Sequence, residues 1–143
     1  MGHQDIFQRA SFAHVCGDSI IAAIAGLALY ASFPPVGWWW LSVPALALFL
    51  SRIDEARAPR ALTVTFVFGM SFWVPLIDWI PLAVGTTPPW FVLAFVQTLF
   101  LMAWVLFARW TQLWRWARGP LVQALLFALT WTGVDAARSR WPW

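Results

Sequence analysis

Apolar residues in this chain fall into five runs, at 19–33, 36–50, 61–80, 90–108 and 121–137, parted by short breaks rich in arginine, proline or glycine. The longest run, 61–80 (ALTVTFVFGMSFWVPLIDWI), carries a single formal charge, Asp78, near its far end. About twenty helical residues at ~1.5 Å rise each reach ~30 Å, the thickness of a bilayer's hydrocarbon core. A helix buried in a soluble protein can also be apolar all round. A chain of 143 residues, however, is too short to shield five such helices from water. The pattern therefore predicts an all-α integral membrane protein with about five transmembrane helices. Residues 61–80 form the central span, 1–17 a short N-terminal segment, and 18–143 one polytopic membrane domain.

The breaks and small residues refine this picture. Asp18 directly precedes the first run and reads as its N-cap. Ala22 and Gly26, four apart, form a small-xxx-small pair that lets another helix approach closely. Pro34-Pro35 ends this helix. The second run opens on Trp38-Trp39-Trp40, an interfacial aromatic belt, and Pro44 is expected to bend it. Both early spans are shorter than the usual ~20 residues, which leaves a tilted pair and a partly re-entrant pair open. The chain start resembles a signal peptide, but no clean small-x-small cleavage site precedes Phe33-Pro34-Pro35, so an uncleaved first span is expected. Gly69 and Pro75 interrupt the third run, as membrane helices tolerate when neighbours satisfy the freed backbone groups.

Composition adds a direction. The chain is 62% hydrophobic and 10% charged, against about a quarter charged in soluble domains. All nine basic residues are arginines: Arg9, Arg52, Arg57, Arg60, Arg109, Arg115, Arg118, Arg138 and Arg140. They sit at the ends of apolar runs, where they signal topology rather than form a phosphate-binding stripe, so no nucleic-acid partner is expected. With the N-terminus cytoplasmic, Arg9 and the loops 52–60 and 109–118 lie inside, leaving Arg138 and Arg140 outside. The Phe33–Gly37 turn and the 81–89 connection then face the exterior. In 109–118 (RWTQLWRWAR) the tryptophans fit the headgroup level and the arginines the lipid phosphates. Lysine is absent, Cys16 is the only cysteine, and His3 and His14 stand far apart, so no disulfide, metal site or cofactor is expected.

Several stretches together resemble a known family. Ser32-Phe33-Pro34-Pro35 with the following Trp cluster, Phe68-Gly69-Met70-Ser71-Phe72-Trp73, and Asp78-Trp79-Ile80 resemble the N-terminal membrane region of apolipoprotein N-acyltransferase. In the last run Trp131, Asp135 and Arg138 have the family's spacing of Trp, acid and Arg, with Asp where Glu is more usual. The Arg-Ser-Arg-Trp-Pro-Trp ending is similar to actinobacterial members in particular. The resemblance covers roughly residues 20–143.

It implies a bacterial cytoplasmic (inner) membrane protein of lipoprotein biosynthesis, in a family that moves an acyl chain from a phospholipid to the N-terminal cysteine of a lipoprotein. In the family, a nitrilase-like exterior domain carries the chemistry on a Glu–Lys–Cys triad, in which a carboxylate activates the thiol and a cation stabilises the oxyanion. These 143 residues have no lysine, and Cys16 precedes the first span, so they are expected to be a truncated or split form that is not catalytic alone. No catalytic residue is assigned. The expected partners are membrane phospholipid, a lipoprotein substrate and a separate catalytic subunit. Two other readings stay open: a membrane anchor or scaffold for a separate enzyme, such as a polyprenol-phosphate mannosyl transferase, and a small transporter subunit. The candidate lipid and substrate residues are Asp78, Trp79, Asp135 and Arg138. Charged groups at membrane depth are functional candidates, but an ordinary solvated position explains Asp78 equally well. An interfacial salt bridge worth at most about 1 kcal/mol explains Asp135–Arg138, three residues apart on one helix.

Overall fold

The computed structural model describes residues 2–110 and positions 125, 128, 129, 132, 133, 136 and 140. Among the described residues every regular element is helical: α1 Gly2–Ala31, a 3-10 turn Trp39–Leu41, α2 Ser42–Glu55, α3 Ala58–Leu76, α4 Ile80–Val84 and α5 Pro88–Trp110. The chain divides into two compact units, Met1–Leu101 and Met102–Trp143.

In the first unit α1 packs on α2 and α3, and α2 packs on α3. The contact faces follow helical spacing. α1 buries Ala22 and Ala25, α2 buries Ala45, Phe49 and Ile53, and α3 buries Ala61, Val64, Thr65, Phe68 and Phe72. The rings of Phe49 and Phe68 stack with centroids 4.0 Å apart. Small residues bring the backbones together, as the Ala22/Gly26 pair predicts. A Cβ on Gly26 would lie 2.5 Å from the Phe68 carbonyl oxygen and 2.9 Å from Ser71 Cβ. On the other side of α3, a Cβ on Gly69 would lie 2.7 Å from Thr98 Cγ2 of α5.

The breaks act much as their chemistry dictates, with two differences. α1 ends at Ala31 ahead of the prolines, and Gly37 at φ 73° turns the chain, its N–H donating to Phe33 O at 2.9 Å. Pro44, expected to bend the second helix, instead sits in the first turn of α2, where its missing N–H has no partner to lose. The run 61–80 is not one helix. Pro75 removes a ladder bond, α3 stops at Leu76, and the chain turns through Ile77–Trp79 into the short α4. Gly85, at φ 77°, closes α4 with its N–H on Pro81 O.

Among the described residues one helix is long and apolar enough to cross a bilayer, Pro88–Arg109 in α5. Its 22 residues reach ~33 Å. Only 33% of its apolar window is buried inside the chain. Phe91, Val92, Phe95, Leu99 and Phe100 are exposed. Val15–Ala31 is a shorter apolar helical stretch, and the 14 residues of α2 reach ~21 Å. Pro59 and Arg60 in its first turn and Pro75 near its end dilute the apolar character of α3. In the second unit the described part of α5 buries Trp104, Val105 and Ala108.

Candidate functional site

The first unit has two ends of contrasting chemistry. One holds the turn after α1, the α3–α4 corner and the start of α5. The other holds the α2–α3 connection.

The first end is aromatic. Trp38, Trp39 and Trp40 are exposed, and the Trp38 and Trp40 rings lie 6.5 Å apart, nearly parallel. Phe33 reaches Phe72 at 5.7 Å between centroids, which ties the post-α1 turn to the last turns of α3. Ile77, Ile80 and Ala94 form a small core with Trp73, Val74, Leu76 and Trp90 packed around it. The carbonyl of Val74 is among the last four of α3 and has no ladder partner of its own. The Trp90 indole N–H of α5 donates to it at 2.8 Å. This core holds the α3–α4 turn, on which Asp78 and Trp79 stand side by side. Asp78 is exposed, and its carboxylate makes no hydrogen bond or ion pair among the described residues. Trp79 is 59% exposed and Leu82 89%. The turn thus presents one carboxylate within an apolar, aromatic surface. Asp135 and Arg138, and the pair expected between them, lie outside the described residues.

The second end holds a group that the sequence reading misassigned. Asp18, expected as an N-cap, sits well inside α1, because nothing between Gly2 and Ala31 breaks the helix. It is 5% exposed. Its Oδ2 accepts from both Nε and Nη2 of Arg60 in the first turn of α3. Its Oδ1 faces Arg52 Nη1 of the last turn of α2 at 3.9 Å. One carboxylate therefore ties three helices together. The spacing 18, 22, 25 puts Asp18 on the face of α1 that buries Ala22 and Ala25, and this periodicity was the available signal. A buried charge must be paired, and the nearest cations in the sequence after α1 are those of 52–60.

Cys16 is exposed on α1. Among the described residues no three His, Cys, Asp or Glu side chains cluster. No thiol–base pair is assembled among them either.

Among the described residues these features define an all-α fold with one helix long and apolar enough to cross a bilayer, and a first unit with an aromatic end and a charged end. The family model described as apolipoprotein N-acyltransferase N-terminal domain matches residues 25–143. The chain belongs to that family. It is 42% identical over 88 residues to an apolipoprotein N-acyltransferase of Mycolicibacterium smegmatis (strain ATCC 700084 / mc(2)155). That alignment covers 59% of this chain and 14% of the relative, so the chain spans only a small part of the protein it matches. No solved structure matches.

Proposed function

We propose that these residues are a membrane region serving acyl transfer from phospholipid to the N-terminal cysteine of a lipoprotein, multi-pass in a bacterial cytoplasmic membrane. The observation that carries this reading is the family match across 25–143. On this reading the α2–α3 connection is cytoplasmic, and the aromatic end lies at the exterior face. The exposed Asp78–Trp79 turn borders the lipid or lipoprotein site there, and Asp135 and Arg138 contribute at the end of the last span. The reaction itself needs an activated nucleophile and a group that stabilises the oxyanion. Residues 1–143 hold no lysine and one thiol, Cys16, placed by this topology on the cytoplasmic side. The catalytic groups therefore come from a separate domain or subunit.

A chimera tests this. Residues 1–143 replace the matching region of the Mycolicibacterium smegmatis relative, and N-acylation of a lipoprotein is read by mass spectrometry of its N-terminal cysteine. The expected result is retained acylation by the chimera and no acyl adduct on the isolated 143-residue chain given labelled phospholipid. A chimera that inserts normally yet does not acylate contradicts the assignment. A hydroxylamine-sensitive adduct on the isolated chain, lost in Cys16→Ser, contradicts the division of labour.

A further inference from the structure

Among the described residues the charged end is incompletely satisfied, and what would complete it has a definite chemistry. An arginine has five N–H donors and no acceptor. Arg60 directs Nε and Nη2 at Asp18, which uses two of its three nitrogens. Arg52 is in a different position. Its nearest approach to Asp18, 3.9 Å, is beyond hydrogen-bond reach. Its Nε is buried without a hydrogen-bond partner among the described residues. One carboxylate thus faces two guanidiniums and satisfies only one of them. Both arginine side chains remain about a third exposed, 34% for Arg52 and 36% for Arg60, so an external acceptor can reach them.

We propose that Arg52 and Arg60 bind the phosphodiester of an anionic phospholipid at the cytoplasmic end of α1–α3, with Asp18 holding Arg60 in place. This rests on the membrane reading above, which sets the α2–α3 connection at headgroup level. A phosphodiester carries one negative charge, which matches the +1 left by Asp18 with two arginines. Its two unesterified oxygens suit fork-shaped guanidinium donors. The surrounding loop carries Arg57 against Asp54 and Glu55, a net charge of −1, so the ligand is held by directed donors rather than by a broadly positive surface. That selects a monoanion over a polyphosphate. Asp18 lies before the family match at 25–143, so the completed cluster is not part of the matched region. The site is also separate from the aromatic end, where the acyl-transfer reading places its substrates.

The test is a native mass spectrometry titration of the full 143-residue chain in detergent with phosphatidylglycerol. Phosphatidylcholine, whose headgroup brings a cation towards the guanidiniums, is the comparison lipid. Water-soluble glycerophosphoglycerol and inorganic phosphate are the competitors. Arg52→Gln is expected to weaken phosphatidylglycerol binding about fivefold, as for one arginine at an anionic surface. Arg52→Lys, which keeps the charge and loses the fork, falls between it and the parent. Arg57→Gln, outside the cluster, leaves the affinity unchanged. Equal losses in Arg52→Gln and Arg57→Gln, or parental affinity in Arg52→Lys, overturn the proposal. Displacement of the lipid by glycerophosphoglycerol or phosphate at equal concentration overturns the lipid assignment. A parent chain that stays soluble without detergent and binds no lipid sinks the membrane reading instead. An inactive chimera leaves this titration untouched.

Discussion

Arg60→Gln is expected to lower the unfolding free energy of the chain by about 3 kcal/mol, the low end of the range for removing one partner of a buried ion pair. The reason lies in what stays behind. Asp18 is 5% exposed, and Arg60 supplies both of its close donors. Without Arg60 the carboxylate faces only Arg52, at 3.9 Å. Asp18→Asn is milder, about 1–2 kcal/mol, because each stranded arginine already reaches water and can rotate towards it. The double variant Asp18→Asn/Arg60→Gln is expected to lose less than the sum of the two, since with Asn at 18 there is no buried carboxylate left for the loss of Arg60 to strand. Thermal unfolding in detergent measures all three. Strict additivity would mean that the cluster does not couple α1 to α3.

Gly26→Leu is expected to cost about 3 kcal/mol, the upper part of the range for overpacking a close contact. The obstacle is the main chain. A Cβ at 26 meets the Phe68 carbonyl oxygen and the Phe72 nitrogen, neither of which can rotate away as a side-chain tip would. The α1 and α3 axes must therefore separate, and the packing around Ala22, Ala25 and Phe68 loosens with them. Gly17→Leu, on the same helix, meets nothing within 4 Å and gains helix propensity, so it is expected to be neutral or to stabilise by up to about 1 kcal/mol. Similar melting temperatures for the two variants would contradict the close α1–α3 approach.

The helical class was legible because apolar runs without strand-like alternation leave few other structures, and the family was legible in the order of Phe33-Pro34-Pro35, Phe68–Trp73 and Asp78-Trp79. The close approach at Gly26 was legible from its spacing to Ala22. Other features needed the third dimension. An Asp before an apolar run looks like a cap when read locally. Only the continuation of α1 back to Gly2, together with the return of α2 and α3, shows that Asp18 is buried between helices. Pro44 and Pro75 have the same local chemistry and different outcomes, because one falls in a first turn, where no N–H is needed, and the other falls near the end of α3. The Trp90 bond to the Val74 carbonyl links residues sixteen apart across two helices, and no local pattern encodes it. Asp78 and Trp79 do stand together, on an exposed turn rather than at the end of a continuous helix.

The proposed function sets the first unit in the membrane with its α2–α3 connection cytoplasmic and its aromatic end outside. Single cysteines at Arg57 and at Leu82, both exposed, in a Cys16→Ser background test it most directly. Intact spheroplasts are treated with a membrane-impermeant maleimide before and after permeabilisation. Leu82→Cys is expected to label in intact spheroplasts and Arg57→Cys only once the membrane is opened, as the arginine distribution requires. Labelling of Arg57→Cys in intact spheroplasts, with Leu82→Cys protected, would contradict it.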